Sequence, residues 1–118
     1  MKKVLIVDDS KFMRKLLKRL VEKGDYQVIA EASNGQEAIE KLQEFSPDIT
    51  LLDITLPCMS GLEILKKIKE QDPNSKVVIC SSLSYESLVD ESKGLGANAF
   101  IVKPNFDDLL STIDQISS

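Results

Sequence analysis

Asp8 and Asp9 follow Val4-Leu5-Ile6-Val7, Asp53 follows Ile49-Thr50-Leu51-Leu52, and Lys103 follows Phe100-Ile101-Val102. Each of these charges stands where a short apolar run stops. Runs of this length, bounded by polar residues, predict strands buried on both faces, as in a parallel sheet. In an open α/β sheet the chemistry gathers outside the carboxyl ends of the strands. The chain is therefore expected to aim three carboxylates and one ammonium at one small volume. Three negative charges that close do not all ionise unaided, so the pattern implies a cation.

Asp8, Asp9 and Asp53 together predict an oxygen-ligand site for Mg2+, which binds through one or two carboxylates, waters and phosphate oxygens. A carboxylate placed like Asp53 can also act as a nucleophile and form an acyl phosphate. Plainer roles stay open: Asp53 can cap the turn that follows it, and acids such as Asp8 and Asp9 are favoured at a helix N-terminus. Lys103 is either a solvated strand-end lysine or a cation that holds charge on phosphoryl oxygens. Pro104 after it admits a cis peptide bond. Ser81 and Ser82, after Val77-Val78-Ile79-Cys80, put at least one hydroxyl on the same rim. No organic cofactor site is predicted.

The elements that must position these groups alternate five times. Strands are predicted over Lys3 to Val7, Gln27 to Glu31, Asp48 to Leu52, Lys76 to Cys80 and Ala99 to Val102. Helical spacing links Phe12, Leu16, Leu17, Leu20 and Val21, then Ala38, Ile39, Leu42 and Phe45, then Leu62, Leu65 and Ile68, and finally Leu109, Leu110, Ile113 and Ile116. The fourth helix, around Tyr85 to Lys93, has the thinnest stripe, Leu88 and Val89. Ser60-x-x-Glu63 and Asn105-x-x-Asp108 have the form of capping boxes, Gly24 is expected to close the first helix and Gly94-Leu95-Gly96 the fourth. The expected fold is α/β: a doubly wound five-stranded parallel sheet, (βα)5 and flavodoxin-like, in strand order 2-1-3-4-5. In that order strands 1 and 3 are neighbours about 4.8 Å apart, which crowds Asp8, Asp9 and Asp53 on one rim. Strand 5 is further along, within reach of the long Lys103 side chain.

The 118 residues are expected to form one domain, 1–118. A balance of 15 basic to 19 acidic residues, net charge −4, argues against a nucleic-acid-binding surface. No stretch reads as a signal peptide or a membrane span, so a cytoplasmic location is expected. Cys58 and Cys80 lack metal-ligand spacing and are expected to be reduced. The chain has no histidine. That removes Ser-His-Asp and Cys-His mechanisms, the usual zinc sites and any histidine general base.

Taken in order, Val4-Leu5-Ile6-Val7-Asp8-Asp9-Ser10, Ser33-Asn34-Gly35-Gln36-Glu37-Ala38, Pro47-Asp48, Asp53-x-x-x-Pro57-x-x-x-Gly61, Ser81 and Gly96-Ala97-x-Ala99-Phe100-Ile101-Val102-Lys103-Pro104 resemble a response-regulator receiver domain along the whole chain. The 2-1-3-4-5 order is one for which the chemotaxis receiver is itself a standard example. The resemblance implies that Asp53 is the phosphoacceptor, taking its phosphoryl group from a phosphohistidine on a sensor histidine kinase. It implies direct Mg2+ ligation by Asp9, Asp53 and the Thr55 backbone carbonyl, with Asp8 holding a coordinated water. Lys103 is to pair with phosphoryl oxygens, Ser81 to move onto them, and Phe100 to switch rotamer in step. Strand 5 with helices 4 and 5 is to form the output surface. Such a protein signals by binding and is not an enzyme in the metabolic sense.

Within the family, Lys11-Phe12-Met13-Arg14 resembles the first helix of freestanding chemotaxis regulators, though plain core packing explains Phe12 and Met13 nearly as well. That branch implies a chemotaxis-type kinase and a flagellar motor switch or phosphatase protein as partners, with the chain acting as a monomer. Leu56 stands where Met is common, and Asn105 interrupts the usual Lys-Pro-Phe run. The alternative is a freestanding phosphorelay intermediate that passes phosphate to a histidine phosphotransfer protein. Rival chemistries lack their marks: a haloacid-dehalogenase phosphatase needs an acid where Thr55 stands, a flavodoxin loop would be hydroxyl-rich where Asp8-Asp9 stand, and no Gly-x-x-x-x-Gly-Lys is present.

Overall fold

A computed structural model describes residues 1–117. Strands and helices alternate as β1 (Lys2–Val7), α1 (Lys11–Val21), β2 (Tyr26–Ala32), α2 (Gly35–Phe45), β3 (Ile49–Asp53), α3 (Gly61–Gln71), β4 (Lys76–Ser81), α4 (Glu86–Gly94), β5 (Ala99–Val102) and α5 (Leu109–Ser117). The strands form one parallel sheet in the order β2-β1-β3-β4-β5. Both the predicted alternation and the predicted order hold.

Successive strand residues point to opposite faces, and here both faces are covered. Val4, Ile6, Leu51, Val78 and Cys80 pack with Leu17, Val21, Leu109 and Ile113 of α1 and α5. Leu5, Val7, Leu52, Val77 and Ile79 pack with Ala38, Leu42, Ile64, Leu65, Ile68 and Leu88 of α2, α3 and α4. This double burial is why the strands read as continuous apolar runs. It also leaves the strand ends as the places where charge can reach solvent.

Local signals set the boundaries. Ser10, Asn34 and Ser60 cap α1, α2 and α3, each side chain accepting from the backbone N–H three residues on. Gly96 takes φ +102 in the turn after α4, a conformation that suits glycine. Four expectations change. Phe12 is 73% exposed, because five residues of helix turn it about 140° away from Leu17. Asn105 does not cap a helix: its carboxamide accepts from Asp107 in a local turn and α5 starts only at Leu109. Glu22, not Gly24, is the helix-closing residue of α1; Gly24 stands two residues further on, its N–H donating to the Val21 carbonyl at 3.0 Å. Asp53 and Ser81 are the last residues of β3 and β4, not the first after them. Cys58 and Cys80 are both free, and burial pushes the Cys80 thiol up to about 12. Among the described residues no helix is long and apolar enough to cross a membrane.

Candidate acidic metal and phosphoryl site

β1 delivers Asp8 to the sheet edge, where its N–H donates to Ala32 at 3.0 Å. Both carboxylate oxygens of Asp8 are engaged. Oδ1 accepts from the Ser10 N–H at 2.9 Å, and Oδ2 accepts from Lys103 Nζ at 2.6 Å. Asp9 is exposed one residue further on. Neighbouring β3 delivers Asp53, 6% exposed, with Oδ1 accepting from the Thr55 N–H at 3.1 Å and Oδ2 3.4 Å from Lys103 Nζ. One carboxylate oxygen from each of Asp8, Asp9 and Asp53 lies within 4.8 Å of the others. The rim that the sequence predicts is therefore assembled.

Lys103 reaches this cluster from beyond β5. Its N–H donates to the Ser81 carbonyl at 2.8 Å, which ties the end of β5 to the end of β4, and the Lys103–Pro104 peptide bond is cis. Ser81 is buried, with Oγ accepting from the Leu83 N–H at 3.0 Å; Ser82 is exposed. Phe100 is half-buried on β5, packed on the face that carries α4. Thr55 is exposed two residues past Asp53.

Gly61 supports the same edge from α3. Its N–H donates to the Ile54 carbonyl at 2.8 Å. A Cβ at that position would meet Ile54 Cα at 2.5 Å and the Asp53 carbonyl oxygen closer still. The Asp53-to-Gly61 spacing thus reflects a backbone approach that leaves no room for a side chain.

The electrostatics refine the simple picture of crowded acids. Burial is the main cause that lifts the Asp53 carboxyl above its ordinary 3.8; Lys103 and the Thr55 N–H pull the other way, and the charge of Asp8 pushes up again. Burial alone would lower the Lys103 ammonium, but its hydrogen bond to Asp8 and the charges of Asp53 and Asp8 leave it above 10.5. Part of the cation demanded by the acids is therefore supplied by the chain itself. Three carboxylates, two buried and one exposed, with oxygens this close still form an all-oxygen donor set suited to a hard divalent ion.

A stability test follows. An acid whose folded pKa is raised contributes stability that is complete below its unfolded value and lost as pH rises through the folded value. The metal-free protein is expected to lose stability in the window just above 3.8 because of Asp53. A divalent ion that binds the assembled carboxylates and not the dispersed unfolded ones would, at a hundredfold excess over Kd, add about 2.7 kcal/mol, and Mg2+ is the ion to test. Scanning calorimetry should show melting raised by several degrees at neutral pH and less at acidic pH. An unchanged melting temperature at millimolar Mg2+ would refute the acid-cluster argument.

Two contributors escaped the sequence reading. Ser10 both caps α1 and holds Asp8 Oδ1, a role its place before the helix could have signalled. Arg14 donates to the Asp8 backbone carbonyl at 2.8 Å, and nothing in its helical spacing marks it.

Comparison with known proteins gives the same picture. A sequence profile described as the response regulator receiver domain matches residues 4–114. The chain is 48% identical over 103 residues to the chemotaxis protein CheY of Thermotoga maritima, covering 87% of this chain and 86% of that one. It is 42% identical over 114 residues to the chemotaxis protein CheY of Bacillus subtilis, covering 96% and 95%. The crystal structure of the CheX-CheY-BeF3-Mg2+ complex from Borrelia burgdorferi superposes with a TM-score of 0.91 at 36% identity, over 99% of this chain and 90% of that one.

Proposed function

The chain belongs to the response-regulator receiver family, a family of two-component signalling domains and not of metabolic enzymes, and from that premise we propose that Asp53 is its phosphoacceptor. The observation that carries this reading is the meeting of Asp8, Asp9, Asp53 and Lys103 at the carboxyl ends of β1, β3 and β5. In the reaction, an Asp53 carboxylate oxygen attacks the phosphorus of a phosphohistidine on a partner kinase. The O–P bond forms as the N–P bond breaks, and the departing imidazole nitrogen takes a proton from solvent. No histidine of the chain's own is needed.

Each neighbouring group then has a task. Asp9, Asp53 and the Thr55 carbonyl would hold Mg2+ directly, and Asp8 a coordinated water. When bound, the metal supplies positive charge against the phosphoryl oxygens. Lys103 supplies a second cation, turning from Asp53 Oδ2 toward a phosphoryl oxygen. Ser81 exchanges its bond from the Leu83 N–H for a bond donated to the phosphoryl group. Phe100, on the strand next to Ser81, changes rotamer as that loop closes. Phosphorylation adds charge and strong acceptors at a rim that can close on them, which biases a two-state element. The output face is β5 with α4 and α5, where Tyr85 and Val102 are already exposed and α4 is held mainly through Leu88 and Ser92. We take the 118 residues to act as one cytoplasmic receiver unit, in chemotaxis or flagellar motor control.

Similarity to several CheY proteins, one solved with CheX, favours a motor-switch or phosphatase partner over a relay. Titration of a flagellar motor-switch segment with and without a stable phosphoryl mimic tests this. The phosphoryl-bound form is expected to bind about tenfold tighter, within the usual range of allosteric coupling. Equal affinities, together with fast phosphate transfer to a histidine phosphotransfer protein, would establish the relay reading instead.

A further inference from the structure

Asp9 is the one acid of the cluster whose carboxylate has no hydrogen bond among the described residues. Asp8 is held by Ser10 and Lys103, and Asp53 by Thr55 and Lys103. Within the fold, the backbone therefore sets the direction from which the Asp9 side chain enters the cluster. That backbone is the peptide plane joining the Asp8 carbonyl to the Asp9 nitrogen. The hydrogen bond recorded on this plane comes from Arg14, whose guanidinium NH1 donates to the Asp8 carbonyl at 2.8 Å.

Arg14 is itself fixed. Its Nε donates to Glu31 Oε1 at 3.0 Å, and its side chain is only 16% exposed. Glu31 lies on β2, the strand paired with β1, where Ile6 and Glu31 are in register. The guanidinium thus spans from the sheet edge to the Asp8–Asp9 peptide with two donors in one rigid plane, a geometry lysine cannot reproduce. We infer that Arg14 is a positioning residue for the metal site, aiming Asp9 at Asp53 through the Asp8–Asp9 peptide plane, with Glu31 as its anchor. The inference rests on the proposed Mg2+ ligation by Asp9 and Asp53. Partners behind a metal's direct ligands commonly govern affinity by 10- to 100-fold when removed.

The experiment is isothermal titration of Mg2+ into the full chain and its variants, with urea unfolding of each metal-free protein alongside. Arg14→Gln is expected to bind Mg2+ about tenfold more weakly than the wild type. Arg14→Lys, which keeps the charge and one donor, should recover part of the loss, and Glu31→Gln should give a smaller loss than Arg14→Gln. That graded order at similar metal-free stability is what positioning produces. Equal Mg2+ affinity in the wild type and Arg14→Gln would overturn the inference while leaving the metal site intact. Affinity losses that merely follow lost stability across the three variants would overturn it too, since they signify general loosening. A wild type that takes up no Mg2+ would overturn the metal reading itself, an outcome distinct from the other two.

Discussion

Replacing Lys103 with methionine is expected to destabilise the metal-free protein by about 3 kcal/mol, the scale at which a buried ion pair resists loss of one partner. The Asp8 side chain is 1% exposed and that of Lys103 14%, so water cannot take over the role of the ammonium at Asp8 Oδ2. Asp53 loses its cation in the same step. The pH dependence has a definite sign. A lysine with a raised folded pKa contributes stability that is complete at neutral pH and disappears only as pH climbs through that value, above 10.5. The full cost should therefore be present at neutrality. In the variant, stability should fall more steeply than in the wild type as pH rises through the carboxylate range. Adding Asp53→Asn to Lys103→Met should recover part of the loss by removing one uncompensated charge. Urea unfolding followed by far-ultraviolet circular dichroism measures all three proteins. A loss under 1 kcal/mol for Lys103→Met, well below the usual cost of breaking such a pair, would show that the ammonium does not hold the acids together.

Gly61→Ala is the second large expectation. The new Cβ would collide with Ile54 Cα and the Asp53 carbonyl oxygen, which are backbone atoms at the end of a buried strand and cannot swing aside. Overpacking of this kind costs about 1–3 kcal/mol, occasionally more, and the upper end is expected here. The displaced atoms belong to Asp53 and its neighbour, so phosphoryl uptake should slow as well. Gly94→Ala is the matched control: at the end of α4 an added Cβ meets nothing within 4 Å. Alanine there should be neutral or stabilising by about 0.5 kcal/mol. Matching unfolding midpoints for Gly61→Ala and Gly94→Ala would contradict the close backbone approach.

The parts of this site that could be read from sequence are those tied to topology. Once the apolar runs are strands and the strands are parallel, Asp8, Asp9, Asp53 and Lys103 have nowhere to be but the carboxyl rim. What the sequence hides is which charge pairs with which. Lys103 could serve any of the three acids, and only the assembled backbone brings its Nζ to 2.6 Å from Asp8 and leaves it 3.4 Å from Asp53. The periodicity around α1 shows a stripe but not its edge, so Phe12 reads as core and stands in solvent. Asn105-x-x-Asp108 has the letters of a capping box, yet the cis Lys103–Pro104 bond and the turn at Asp107 precede α5. Arg14 is invisible for a different reason. Its partner at the site is a backbone carbonyl, and a carbonyl carries no residue identity for a pattern to match.

Whether Asp53 accepts phosphate is decided most directly by intact-mass measurement after incubation with acetyl phosphate and Mg2+. The wild type should gain one phosphoryl group, removed by hydroxylamine as an acyl phosphate must be, and should gain none when Mg2+ is chelated. Asp53→Asn should gain none under any condition, because its carboxamide is no acyl acceptor. Phosphoryl uptake that persists undiminished in Asp53→Asn would contradict the assignment and move the nucleophile elsewhere.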